Sequence, residues 1–187
     1  MFAELLNQNG VANGVGTEPG LQPLTGEELQ PGSNLESEAR LDIAARGFWQ
    51  ECEMAFFDVR VFNPFAKSHL RNTLDSVFRK NEKEKKDEYN DRVIQVEHGT
   101  FTPIVVSCLG GYGHETSRFV SKLIQKISDK KSMEQSVVAN YVRTKVSFEL
   151  IRAQVACIRG YRRLKKTVID VGEMEVVTNI SQIQDEQ

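Results

Sequence analysis

Two aspartates and a lysine carry the chemistry that this sequence supports. Asp58 lies inside Met54-Ala-Phe-Phe-Asp-Val-Arg-Val-Phe62, a run that is apolar apart from Asp58 and Arg60. A charged carboxylate in such a strand is expensive to bury unless a partner answers it. Arg60, two residues on and on the same strand face, is one partner, and an Asp58–Arg60 structural pair is one reading. Asp42, in Arg40-Leu-Asp-Ile-Ala-Ala-Arg46, opens another. If the two segments are neighbouring strands, the carboxylates approach each other and repel unless a cation lies between them. Oxygen ligands without thiolate or imidazole suit Mg²⁺ (or Mn²⁺), which takes one or two carboxylates plus waters and phosphate oxygens. Such an ion lowers the pKa of a bound water and stabilises charge on a phosphoryl oxygen. Lys85 falls in helical phase with Leu70, Leu74, Phe78 and Tyr89, toward the sheet, where it can complete a hydrolytic site.

These residues need elements to hold them. Residues 7–37 are dense in Gly, Asn, Pro and Ser, which allows at most a short strand near residues 11–18, with a helix stub before it. Alternation predicts strands at about 39–46, 54–62 and 101–108, the last apolar on both faces and so interior. On the first, Leu41, Ile43 and Ala45 share one face, with Arg40, Asp42, Ala44 and Arg46 on the other. On the second, Phe57, Val59 and Val61 oppose Phe56, Asp58, Arg60 and Phe62. A long helix from about Leu70 to Val96, stopped by Gly99, separates the last two strands and is the kind of crossover that returns parallel strands. Further helices are expected at about 115–130 and 133–158. The second should bury Val138, Tyr141, Val142, Val146, Leu150, Ile151 and Val155. The expected organisation is a Gly/Pro-rich segment over 1–37, one α/β domain over 38–163 and a tail over 164–187, in which 167–171 or 175–178 could form a strand.

Composition excludes several classes. With 187 residues, 40% apolar and 27% charged, the chain reads as globular. No apolar run is long enough to span a membrane and no secretory signal opens the chain, so the expected location is intracellular, nucleus or cytoplasm. Cys52, Cys108 and Cys157 are widely spaced and read as reduced core thiols, with no paired Cys or His for zinc. Net charge is −2, but basic residues cluster at 79–86 and 159–166. Each cluster suits a solvated helix face or helix end. Taken as a phosphate-facing surface, Lys86, Arg159, Arg162, Arg163, Lys165 and Lys166 are the candidate nucleic-acid contacts. Leu109-Gly-Gly-Tyr-Gly113 is not a Walker loop. It reads as a turn, though its amides precede a helix and could receive a phosphate. Glu97, Glu115, His98 and His114 read as structural or loop residues, and Trp49 as a packing residue.

A strand with Asp, a strand with Asp-x-basic, a helix and a strand together resemble the PD-(D/E)XK nuclease superfamily. Three stretches are more narrowly similar to uncharacterised proteins encoded by animal retroelements: Glu18-Pro-x-Leu-Gln-Pro-Leu-Thr-Gly, Arg40-Leu-Asp-Ile-Ala-Ala-Arg-Gly-Phe-Trp49 and Ala55-Phe-Phe-Asp-Val-Arg-Val-Phe-Asn-Pro64. The likeness continues through Lys85-Lys-x-x-Tyr-x-x-Arg-Val-x-x-Val-Glu-His-Gly-x-Phe-Thr-Pro103, Gly110-Gly-x-Gly-x-Glu115 and Cys157-Ile-Arg-Gly160, covering roughly residues 18–163. The resemblance implies a restriction-endonuclease-like core of order αβββαβ with two added C-terminal helices. It also implies Asp42 and Asp58 as Mg²⁺ (or Mn²⁺) ligands, DNA as partner, and Glu18 as a further acid on or before the first strand. Arg60 stands where the family has its lysine, and arginine cannot give up a proton. Some members move that lysine to the following helix, which here offers Lys85 and Lys86. The family also implies an upstream Cys/His-containing stretch and helix, so that the first core element is shortened here. Two functions follow as expectations: a Mg²⁺-dependent DNA endonuclease using Asp42, Asp58 and Lys85, or an inactive nuclease-fold remnant that binds DNA or a partner.

Overall fold

Strand propensity is strongest around Asp58, and that segment becomes an interior strand of the sheet. A computed structural model describes residues 1–21 and 39–159. Helix α1 (Phe2–Gln8) leads into β1 (Asn13–Thr17) and β2 (Gly20–Leu21). Then come β3 (Ala39–Arg40), β4 (Ile43–Arg46), β5 (Met54–Phe62), α2 (Leu74–Gln95), β6 (Thr100–Ser107), α3 (His114–Lys131) and α4 (Gln135–Arg159). The architecture is mixed α/β: a four-stranded sheet of order β1-β4-β5-β6, a small β2-β3 ladder and four helices among the described residues. Strand β4 runs antiparallel to β1 and β5, whereas β6 lies parallel to β5 and α2 makes the crossover between them.

The pleat divides the core in two. Phe57, Ile43, Ala45, Ile104 and Val106 face α1, α3 and α4, where Phe48, Phe57 and Phe119 pack with centroids 4.9–5.4 Å apart. Burying each such ring contributes about 2–3 kcal/mol. On the other face Phe56, Ala44 and Phe101 meet Val93 of α2, and Phe62 and Val105 meet Val77 and Phe78. Helix α2 therefore lies over Asp58.

Several expectations need correcting. The strand expected at 39–46 is two, because β3 pairs with β2 rather than joining the main sheet. Asp42 sits in a bend between them, and alternation fails there: Leu41 packs with Ala44, on the face opposite Ile43 and Ala45. Strand β6 is buried but lies at the sheet edge, where Pro103 removes no central ladder bond. That edge is covered by the returning chain: Thr116 Oγ1 accepts from the Val105 amide at 2.7 Å, and the Gly113 amide donates to the Val105 carbonyl at 3.0 Å. Helix α2 begins at Leu74, where Thr73 caps it by accepting from the Ser76 amide at 3.3 Å, and Leu70 is exposed. The helix stops before Gly99, and His98 takes the left-handed turn with φ of 50°. Gly99 is needed for closeness instead, since a Cβ there would lie 2.5 Å from the Met54 carbonyl oxygen.

On α4 the buried stripe is narrower than expected. Val138, Val142 and Val146 are buried and Leu150 partly so, whereas Tyr141, Ile151 and Val155 are exposed. Residues four apart share one side of a helix, and the other three are turned off it. Nor are the thiols core residues: Cys52 and Cys157 are exposed and Cys108 is half-buried. Among the described residues no helix is long and apolar enough to cross a membrane.

Candidate functional site

Strand β5 turns Asp58 toward α2, where it is 7% exposed. Along α2, Phe78, Glu82, Lys85, Tyr89 and Val93 succeed one another at three- or four-residue steps on the sheet-facing side. Lys85 Nζ lies 3.0 Å from Asp58 Oδ2 and 3.5 Å from Glu88 Oε2, with the Tyr89 ring centroid 5.1 Å away. Lys85 is the partner of Asp58 Oδ2, which has no other hydrogen-bond partner among the described residues.

Asp42 lies in the bend before β4, beside β5. Its amide donates to the Phe57 carbonyl at 3.1 Å, its carbonyl accepts from the Glu18 amide at 3.0 Å, and its Oδ2 accepts from the Val59 amide at 2.6 Å. Continuing the Ile43↔Phe57 register puts Asp42 opposite Asp58. The electrostatics agree. Burial pushes the Asp58 carboxyl above the ordinary aspartate range; Lys85 opposes this, and Asp42 and Glu88 add to it. Burial and then Glu88, Asp58 and Asp42 push the Tyr89 phenol up as well, so it stays protonated. Two carboxylates, Asp58 and Glu88, thus meet one ammonium, with the charge of Asp42 felt from the neighbouring bend.

The Asp58–Arg60 pair does not form. Arg60 bonds Glu84 at 2.7 Å, because helix α2 presents Glu84 at the level of Arg60 and Lys85 at the level of Asp58. Lys86, expected to face nucleic acid, is held by Glu115 Oε1 at 2.5 Å. The glycine-rich turn is filled too. Its Gly111 amide donates to Ser107 Oγ at 2.8 Å, and the Glu115 amide in the first turn of α3 donates to Glu82 Oε1 at 2.9 Å. Those amides are not open to a phosphate. A Cβ on Gly113 would come within 2.2 Å of that Glu82 oxygen, which is why glycine stands at this position. Arg159 is exposed at the end of α4, and Arg162, Arg163, Lys165, Lys166 and the strands expected at 167–178 lie outside the described residues. Glu18, with φ of 53°, touches Asp42 through backbone; together they line a mainly apolar cavity of about 380 Å³ on the face away from α2.

Sequence reasoning missed Glu88 and Glu82. Glu88 was legible as the residue three after Lys85 on one helix face. Glu82 had no signal, because its partner amide lies 33 residues away.

Among the described residues no cluster of three or more His, Cys, Asp or Glu side chains is arranged to hold a metal ion. A hard divalent cation that keeps most of its waters needs only one or two carboxylates. Asp58 offers a buried oxygen met by the Lys85 ammonium, and Asp42 is exposed with one oxygen outside its bond to Val59. No protein-family model matches the chain, and no curated protein is similar to it in sequence.

Proposed function

We propose that this chain is a metal-dependent phosphodiester hydrolase acting on DNA, with the restriction-endonuclease-like arrangement of a retroelement nuclease. With the separate β2-β3 ladder set aside, the order α1-β1-β4-β5-α2-β6 supports that reading, since it runs αβββαβ, with α3 and α4 as the two added helices. The observation that carries it is the buried Asp58 oxygen, opposed by Asp42 and met only by a lysine ammonium. Asp42 and Asp58 would hold Mg²⁺ or Mn²⁺, which when bound supplies an activated water and countercharge for the phosphoryl oxygens. Lys85 then releases Asp58 and orients the water, while Tyr89 and the apolar wall beneath it exclude bulk solvent. Arg60 takes no part, being turned to Glu84 at the rim.

One observation favours a second reading, an inactive nuclease-fold binding module. Lys85 sits directly on the oxygen a metal would need, at 3.0 Å. Thermal unfolding with and without Mn²⁺ separates the two. A ligand bound only by the folded state raises the melting temperature, so Mn²⁺ should stabilise the wild type but neither Asp42→Asn nor Asp58→Asn. Supercoiled plasmid should be nicked with Mg²⁺ or Mn²⁺ and not with EDTA. A wild type indifferent to both ions in both assays ends the enzymatic reading.

A further inference from the structure

On the opposite side of the sheet from Lys85, α3 carries Arg118, Lys122, Lys126 and Lys130, each four residues after the last. This is one row of cations spaced about 6 Å apart along the helix axis. Like charges at this spacing repel, and the protein answers them only in part. Lys126 Nζ donates to the Gly47 carbonyl at 2.7 Å, and Lys130 Nζ donates to the Gly10 carbonyl; both acceptors are uncharged. Burial, and then the charges of Lys122 and Lys130, pull the Lys126 pKa down, with Glu51 opposing. Arg118 has a carboxylate, Glu115 Oε2 at 3.2 Å, which Lys86 shares. Lys122 has no hydrogen bond or ion pair among the described residues.

Beside this row runs an open groove of about 430 Å³ lined by Trp49, His114, Arg118, Ser121, Lys122 and Gln125. Trp49 is pinned there. Its indole N–H donates to Thr102 Oγ1 at 3.1 Å, and it packs against Phe48 at 4.9 Å with the rings near perpendicular. The ring remains half-exposed, with the Arg118 guanidinium 5.8 Å from its centroid on a side chain that is itself 60% exposed. A fixed aromatic surface whose polar atom is already satisfied, flanked by cations that are only partly neutralised, suits a ligand that is both flat and anionic along its length. Single-stranded nucleic acid has that chemistry: a base stacks while the backbone follows the positive groove. A duplex keeps its bases stacked and offers no free face.

We propose that this groove binds single-stranded nucleic acid, with one base on Trp49 and the phosphates along Arg118 and Lys122 toward Lys126 and Lys130. Lys126 and Lys130 can contribute without leaving their carbonyls, since an ammonium has three donors. The proposal rests on none of the Asp42, Asp58 and Lys85 geometry.

Trp49 is the sole tryptophan of the 187 residues, so intrinsic fluorescence reports on this site directly. Titrating the full chain with a short oligo-dT strand should change the Trp49 emission saturably, with affinity falling as salt rises. Arg118→Ala combined with Lys122→Ala should weaken binding at least tenfold and flatten the logarithmic salt slope by roughly 1.4, at about 0.7 per lost phosphate contact. Circular dichroism of that variant should match the wild type, because both side chains are peripheral to the core. Labelled-strand anisotropy should show Trp49→Phe binding more tightly than Trp49→Leu. Binding should be the same in EDTA as with Mn²⁺, which separates this site from the proposed hydrolytic centre. An unmoved emission would overturn the proposal. So would an equal response to duplex of the same sequence, to heparin or to phosphatidylserine vesicles, or undiminished binding by the folded double variant.

Discussion

Asp58, which faces α2 from β5, and Glu82, which faces α3 from α2, are two carboxylates each 7% exposed and each with its pKa raised chiefly by burial. Their partners differ in kind. Glu82 accepts from a backbone amide in the first turn of α3, a fixed donor reinforced by the positive end of a helix. Asp58 faces the end of a long flexible side chain, shares its field with Asp42 and Glu88, and has no backbone donor on its buried oxygen. A fixed donor makes a carboxylate part of the scaffold. An exchangeable cation leaves it available to another cation.

Removing the fixed pair should do most damage. Glu82→Ala leaves the start of α3 without its acceptor and opens space beside Gly113, and it should lose about 2–3 kcal/mol in urea unfolding. A loss below roughly 0.5 kcal/mol would erase the distinction from Asp58. Lys85→Met comes next. It leaves Asp58 charged and unpaired near Asp42, with an expected loss of about 2 kcal/mol at pH 7 that shrinks as pH is lowered and the carboxyl takes up a proton. A loss independent of pH would assign it to packing instead.

Asp58→Asn should move stability at pH 7 by less than about 1 kcal/mol, since it removes repulsion from Asp42 while Lys85 keeps Glu88. Its pH dependence is more telling. A carboxyl whose folded pKa is raised binds its proton more tightly when folded, so it destabilises the protein as pH climbs from the unfolded value near 3.8 through the folded one. Wild type should therefore lose stability over that interval relative to Asp58→Asn, and a chemical denaturation series from pH 3.5 to 7 would show it. Parallel curves would contradict the raised carboxyl. The smallest change belongs to Arg60→Ala: its pair with Glu84 is at the surface and should contribute at most about 0.5 kcal/mol. A larger loss would mean that Arg60 supports Asp58 after all.

Periodicity alone placed β5, whose bounds are the apolar run around Asp58, and it put Lys85 on the sheet-facing side of α2. Local chemistry of that kind is legible because side-chain direction in a regular element follows from position along it. It was not legible that Asp42 lies at a break, since a strand that changes pairing partner between β3 and β4 carries no mark in its own residues. The choice of Lys85 over Arg60 as the partner of Asp58 depends on how far α2 slides along β5, which helix packing sets and residue spacing does not. The burial of β6 followed from its composition, but its place at the edge depended on the chain beyond it returning through Gly113 and Thr116 to bond Val105. The sequence by itself determined which residues could share a face. Only the tertiary structure decided which faces met, because burial and electrostatic pairing act between segments far apart in the chain.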